Sequence, residues 1–155
     1  MHSEMTEKSE ANTSDPIELN TKIVIIENDL HISELIRYNL ETEGYKVLMA
    51  HDGENGYRLV MDEKPDLILL DLMLPKIDGI KICKLIRNSE TLSATPVIIM
   101  TAKFIETDRI EGLEAGADDC MTKPFSIHEL KARIKAVLRR TKSQATKNIS
   151  KNQSS

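Results

Sequence analysis

The sequence has only two cysteines, no tryptophan and no long apolar run, and each shortage excludes a class of protein. Cys83 and Cys120 are too few for a disulfide framework and lack the paired spacing of a structural zinc site. No apolar run approaches the roughly 18 residues of a membrane-spanning helix, and the polar start of the chain has no signal-peptide core. These shortages predict a reduced, cytoplasmic protein, and the content of Ile, Leu and Val is sufficient for a folded core.

The formal net charge of −4 is unevenly distributed along the chain. Residues 1–20 carry five acids and one Lys, whereas residues 139–155 carry five bases and no acid. These polar ends predict a disordered N-terminal extension over 1–20 and a disordered basic tail or linker over 141–155, around one domain at 21–140. The domain itself is acidic, which argues against nucleic acid as its main partner.

Short apolar runs alternate with segments of helical spacing between the two polar ends. Asp29 is placed to cap the first helix and Gly44 to end it, whereas Asp52 and Gly53 predict a turn. The predicted strands are 23–26, 45–50, 66–70, 97–100 and 120–122. Five strands and five helices in strict alternation predict a doubly wound α/β fold with a parallel sheet, because each parallel crossover needs a helix.

Polar side chains follow four of the five predicted strands. They are Glu27, Asn28 and Asp29 after the first strand, Asp71 after the third, Thr101 after the fourth and Lys123 after the fifth. In an open doubly wound sheet, the carboxyl ends of the strands meet at one edge, where ligands bind. Clustered carboxylate oxygens suit Mg²⁺, and a Lys with a Thr suits the oxygens of a phosphoryl group.

Two of these residues also have an ordinary structural interpretation when each is taken alone. Asp71 alone is compatible with capping the turn before Pro75, and Lys123 alone with a solvated surface lysine. Four such residues at four strand ends favour a shared site, because the topology brings all four ends together.

Four segments of the chain carry a resemblance to a known family: IVIIEND, LILLDLMLPKIDG, VIIMTA and GADDCMTKPF. Over about residues 22–140 the chain resembles the receiver domain of two-component response regulators, and it is most similar to receivers of the winged-helix transcription-factor subfamily. The resemblance implies a flavodoxin-like, five-stranded parallel sheet of order 2-1-3-4-5 with five helices. It also implies a phosphorelay signalling protein that switches conformation, rather than a turnover enzyme.

The resemblance assigns a role to each residue of the predicted site. Asp71 is the modified residue, which accepts a phosphoryl group from the phosphohistidine of a partner histidine kinase or phosphotransfer protein. The implied Mg²⁺ ligands are Glu27 (through water), Asn28, Asp71 and the backbone carbonyl of Met73. The implied phosphoryl-binding groups are the Thr101 hydroxyl, the Ala102 N–H and the Lys123 ammonium, so that Asp71, Thr101 and Lys123 form the catalytic set. Pro124 matches the family's cis-proline position.

Two positions depart from the family pattern. Asn28 stands where the family usually has a second acid that contacts the metal, so we expect a weaker Mg²⁺ site. Cys120 stands where receivers usually carry Tyr or Phe, whose ring moves inward when Thr101 swings toward the phosphoryl group. The substitution is compatible both with altered switching through Thr101 and Cys120 and with a mere change of side-chain size.

Other functions and partners stay open from the sequence alone. A degenerate receiver would act as a phosphate-independent interaction module. Only Asn28 and Cys120 support it, against the retained Glu27, Asp71, Thr101 and Lys123. A flavodoxin-like cofactor binder would need stacking aromatics, of which the chain has few. We expect DNA contact only through an effector domain absent from this chain, which is either a stand-alone receiver or a fragment of a transcription factor.

Mixed charges along the fourth and fifth helices, and in the loop between those helices, have two interpretations. They form a solvated face or, by resemblance, the surface of a salt-bridged homodimer. The charges are Arg109, Asp118, Asp119, Glu129 and Arg133.

Overall fold

The computed structural model describes residues 20–102 and 106–154, and it describes side chains within 20–102 and 109–141. The N-terminal extension predicted over 1–20 lies outside the described residues, apart from Asn20. The described residues form the strands β1 Lys22–Ile26, β2 Lys46–Ala50, β3 Leu67–Asp71, β4 Val97–Thr101 and β5 Asp119–Thr122. They form the helices α1 Leu30–Thr42, α2 Gly53–Glu63, α3 Gly79–Arg87, α4 Glu106–Glu114 and α5 Ile127–Ser154.

The five strands form one parallel sheet of order β2-β1-β3-β4-β5, which confirms the predicted fold and strand order. Every residue of β3 and β4 is buried. Helices cover both faces of a parallel sheet, so its inner strands are continuous apolar runs rather than alternating ones.

Successive residues of each strand point into two different helical layers. On one face of the sheet, Leu69 lies in an apolar cluster with Ile36 of α1 and Ile134 of α5. On the other face, Leu70 lies in a second cluster that includes Ile86 of α3. Because helices cover both faces in this way, the polar residues that follow the strands lie at the edge formed by the carboxyl ends of the strands.

Two of the predicted helix ends are confirmed, and one predicted turn is not. The Asp29 carboxylate accepts two backbone N–H groups from the first turn of α1, and Gly44 follows that helix with a φ of 103°. The prediction of a turn at Asp52 and Gly53 was wrong, because Asp52 caps α2 and that helix begins at Gly53. An Asp–Gly pair serves either structure, and here the Asp52 carboxylate accepts an N–H of the helix.

The last helix extends further than the sequence predicted. α5 runs through Ser154, across the segment predicted as a disordered tail over 141–155. That segment contains neither Pro nor Gly, so nothing in its sequence ends a helix that has already been nucleated. None of the described helices is both long enough and apolar enough to span a bilayer.

Candidate functional site

The carboxyl ends of β1, β3, β4 and β5 meet at one edge of the sheet. The strand register places Asp71 beside Met100 and Thr101 beside Thr122, so that Lys123 follows at the same edge. The backbone N–H of Lys123 donates to the carbonyl of Thr101 at 2.7 Å. The fold thereby brings the four predicted strand-end positions together.

Two buried carboxylates share one ammonium group at this edge. Lys123 Nζ lies 2.6 Å from Glu27 Oε1 and 3.6 Å from Asp71 Oδ1. Glu27 is 1% exposed and Asp71 is 4% exposed, while the Lys123 side chain is 13% exposed. Lys123 is therefore not a solvated surface lysine, and the Asp71 side chain points toward it.

The Asp71 carboxyl group is a weaker acid than an ordinary aspartate. Burial raises its pKa from 3.8 to about 6, and the negative charge of Glu27 adds to the increase. The Lys123 ammonium lowers this pKa, as does the backbone N–H of Met73, which donates to Asp71 Oδ1 at 3.3 Å. Near neutral pH the group is mostly ionised, and its charge is only partly compensated by its surroundings.

Glu27 is held through its main chain as well as through its carboxylate. Its backbone N–H donates to the carbonyl of Ala50 at 3.0 Å, and its Oε2 accepts the backbone N–H of Asp29 at 2.9 Å. Its backbone carbonyl lies 3.3 Å from the hydroxyl of Ser33 and 3.1 Å from Nδ1 of His51. Three segments of the chain therefore fix the position of this acid.

The other predicted metal donors are neutral and lie at the surface. Asn28 and Met73 are exposed, and Asp29 uses its carboxylate to cap α1. No three His, Cys, Asp or Glu side chains converge on a metal position in the described part of the chain. Glu27 and Asp71 carry more negative charge than Lys123 compensates, and the other predicted donors, Asn28 and the Met73 carbonyl, supply neutral oxygens. Oxygen donors of this kind fit a hard divalent cation of the Mg²⁺ type.

The remaining predicted site residues lie on or beside β4 and β5. Thr101 is buried at the end of β4, and Ala102 is exposed directly after it. Cys120 is half-buried opposite Ile99, two residues before the register partner of Thr101. The Lys123–Pro124 peptide bond is cis, as the resemblance implied. The switch role of Thr101 and Cys120 stays a prediction.

Sequence reasoning missed a glycine that lets α3 approach the site. A Cβ atom on Gly79 would lie 2.4 Å from the carbonyl oxygen of Asp71 and 2.7 Å from Cα of Leu72. Only glycine allows this approach, and Asp78 caps the helix that starts there. The Asp–Gly pair that closes the LPKIDG stretch carried this signal. No sequence signal identified Ser33 or His51, because their contacts with Glu27 depend on the tertiary fold.

Most of the charges predicted as a dimer surface are paired within the chain. Arg133 contacts both carboxylate oxygens of Asp119 at 2.8 and 2.9 Å, and its Nε lies 3.2 Å from Glu129. Asp118 pairs with Arg87 at 2.9 Å. Internal pairs of this kind are compatible with a solvated face and with a dimer surface, so the homodimer stays a prediction.

A known protein family matches most of the described domain. The family model described as the response regulator receiver domain matches residues 23–135. That span contains every residue of the predicted site, from Glu27 to Lys123.

Individual relatives agree with this match. The alkaline phosphatase synthesis transcriptional regulatory protein PhoP of Bacillus subtilis is 48% identical over 134 residues, which are 86% of this chain and 55% of that protein. The DNA-binding dual master transcriptional regulator RpaA of Synechocystis sp. is 48% identical over 120 residues, which are 77% of this chain and 50% of that protein. The chain therefore spans about half the length of each relative. Both are transcriptional regulators by name, in agreement with the subfamily resemblance.

A solved structure agrees as well. The receiver domain of the Francisella response regulator 1452 has a TM-score of 0.73 and 37% sequence identity. The similarity covers 79% of this chain and 99% of that chain.

Proposed function

Because this chain belongs to the response regulator receiver domain family of signalling proteins, we propose that it accepts a phosphoryl group on Asp71 from the phosphohistidine of a partner kinase. One observation carries the proposal: a buried carboxylate at the end of β3 lies 3.6 Å from the Lys123 ammonium. A pKa of about 6 still leaves most of Asp71 as the nucleophilic carboxylate near neutral pH.

The proposed transfer needs positioning and charge stabilisation more than acid–base chemistry. An Asp71 carboxylate oxygen forms a bond to phosphorus, and the phosphorus–nitrogen bond of the phosphohistidine breaks with its electron pair left on the nitrogen. Lys123, the Thr101 hydroxyl and the Ala102 N–H then bind the phosphoryl oxygens. Because the product is modified Asp71 itself, the chain acts as a phosphorylated switch and not as a turnover enzyme.

We expect Mg²⁺ at the same edge, held by Asp71, Asn28 and the Met73 carbonyl directly and by Glu27 through water. When bound, the cation neutralises negative charge on the carboxylates and on the phosphoryl oxygens. Lys123, whose ammonium lies 3.6 Å from Asp71, would add a second positive charge for the phosphoryl oxygens. Glu27, fixed by its main-chain bonds, keeps Lys123 in place.

The partners follow from the same proposal. We expect a sensor histidine kinase or phosphotransfer protein as the donor, in the cytoplasm. Phosphorylation would shift a two-state equilibrium through Thr101 and Cys120 toward a homodimer formed by α4 and α5. DNA contact would require an effector domain beyond the receiver fold; RpaA, of which this chain spans 50%, is named as a DNA-binding regulator.

A small acyl phosphate donor with Mg²⁺ tests the acceptor role. We expect intact mass measurement to show the gain of one phosphoryl group by the wild-type chain, its loss in hydroxylamine, and no gain by Asp71→Asn. Asp62→Asn, which removes an exposed carboxylate from α2, is the matched control and should still be modified. Wild type that gains nothing would support the phosphate-independent interaction module instead. Asp71→Asn that gains as much as wild type would show that a residue other than Asp71 is the acceptor.

A separate prediction concerns the neutral residue at position 28. We expect Asn28→Asp to bind Mg²⁺ more tightly by about 1–3 kcal/mol, because it restores a negative charge to an oxygen ligand. Calorimetric titration measures the difference. Asn39→Asp adds the same charge at a half-buried position in the last turn of α1 and should leave the affinity unchanged. Equal affinities for wild type and Asn28→Asp would contradict the prediction.

A further inference from the structure

The backbone carbonyl of Glu27 lies within hydrogen-bond distance of two side chains that the proposed mechanism does not use. Ser33 Oγ donates to it at 3.3 Å, and His51 Nδ1 lies 3.1 Å away. A carbonyl oxygen can only accept, so Nδ1 of His51 carries the hydrogen and donates it. Ser33 is fully buried on α1, and His51 is half-buried directly after β2.

These two bonds fix a peptide unit rather than a side chain. The carbonyl belongs to the peptide that joins Glu27 to Asn28, and the N–H on the other side of Glu27 donates to Ala50 at 3.0 Å. The backbone at Glu27 is therefore held from α1 and from the β2 end. The direction in which Asn28 leaves the strand is set by this peptide.

A fixed peptide matters more for cation binding with Asn at position 28 than it would with Asp there, which would be a third acid beside Glu27 and Asp71. A carboxylate attracts a cation by its charge, whereas the amide of Asn28 is neutral and attracts it weakly. A neutral ligand contributes affinity mainly when it is already in position, because no large charge term then offsets the cost of ordering it. Asn28 is exposed, so packing does little to order its side chain.

We propose that His51, assisted by Ser33, is a positioning residue for the cation site, and that it acts by holding the Glu27 carbonyl so that Asn28 is oriented toward the cation. The inference rests on the proposed function for the existence of that site. Neither residue touches the reacting atoms. Both act through the peptide that precedes Asn28.

Mg²⁺ affinity measured by calorimetric titration of the full chain tests this role. We expect His51→Leu to bind Mg²⁺ about tenfold more weakly, the scale typical of residues that orient metal ligands. His51→Asn places an amide N–H near the position of Nδ1 and should restore most of the affinity. His31→Leu removes an exposed histidine from α1 and should bind as wild type does. General destabilisation of the fold would not weaken Mg²⁺ binding in His51→Leu and restore it in His51→Asn.

The mechanism through Asn28 has its own test. In an Asn28→Ala background, His51→Leu should cause no further loss of affinity, because the ligand that it orients is gone. Equal losses in both backgrounds would overturn the proposal. A second readout is the ¹⁵N spectrum of the histidine rings, where the neutral His51 ring should be protonated at Nδ1, and protonation at Nε2 alone would also overturn it.

The outcome separates this inference from the proposed function. If the wild-type chain binds no Mg²⁺, the cation site itself is absent and both proposals fail at that point. If wild type and His51→Leu bind Mg²⁺ equally, only the positioning role is wrong. Phosphorylation of Asp71 would then still stand.

Discussion

Arg87→Met is expected to lower the free energy of unfolding by about 3 kcal/mol, because one guanidinium joins three separate segments. Its Nε donates to the carbonyl of Gly116 at 2.8 Å. Its NH1 donates to the carbonyls of Thr95 at 2.7 Å and Ser93 at 3.3 Å. The end of α3 is thereby tied to the loop before β4 and to the loop before β5.

A fourth contact of Arg87 extends the network into the sheet. Its NH2 lies 2.9 Å from Asp118 Oδ2, and the same oxygen accepts the backbone N–H of Val97 at 2.8 Å. Hydrogen bonds to charged groups contribute about 1.5–3 kcal/mol each, and these share one side chain, so the total is less than their sum. Methionine keeps much of the apolar stem of Arg87, so the loss reports the polar contacts.

Urea unfolding of the wild-type chain and of Arg87→Met measures the effect. Arg58→Met is the matched control, since Arg58 is an exposed arginine whose contact with Glu54 is 3.5 Å long within one helix. An exposed pair of this kind contributes roughly 0–1 kcal/mol. A loss in Arg87→Met no larger than that in Arg58→Met would contradict the assigned role.

Asp71→Asn is expected to stabilise the metal-free protein at neutral pH by about 2–3 kcal/mol, because burial and Glu27 disfavour the ionised carboxylate. The folded-state pKa of Asp71 is raised from 3.8 to about 6, so the folded chain binds more protons than the unfolded chain between these values. The favourable contribution of Asp71 to the free energy of unfolding is therefore fully present below about pH 4 and is lost as the pH rises through about 6. Asparagine keeps the size and the acceptor oxygen without the charge.

The difference between the two proteins should depend on pH in a defined direction. We expect wild type and Asp71→Asn to have similar stability near about pH 4, and Asp71→Asn to be the more stable protein above about pH 6.5. Urea unfolding in chelator across this range tests the sign, with Asp62→Asn as the exposed carboxylate control. A stability difference that stays constant with pH, or that grows as the pH falls, would show that Asp71 is not disfavoured as a carboxylate in the folded chain.

Much of the fold was predictable because its signals are local. The run from Ile23 to Ile26 predicts a strand buried on both faces, and Asp29 predicts the helix that follows. Local signals cannot decide between two kinds of local structure that carry the same residues. Asp52 and Gly53 suit a turn and a helix start equally, and the choice between them depends on how α2 packs against the sheet.

The candidate site was predictable to the level of which strand ends meet, but not to the level of which atoms meet. The topology rule brings Glu27, Asp71 and Lys123 to one edge. It does not reveal that the Lys123 ammonium lies 2.6 Å from Glu27 and 3.6 Å from Asp71. Burial and the negative charge of Glu27 raise the pKa of Asp71, and the Lys123 ammonium offsets only part of that increase.

The sequence by itself determined the order of the elements, the family and the edge of the sheet that carries the chemistry, since periodicity, capping and motif spacing are properties of neighbours in the chain. Only the tertiary structure decided that His51 donates to a carbonyl 24 positions earlier and that Lys123 pairs with an acid 96 positions earlier. Such bonds form or fail within tenths of an ångström. Their geometry is set by how helices and strands pack, which no local pattern of residues encodes.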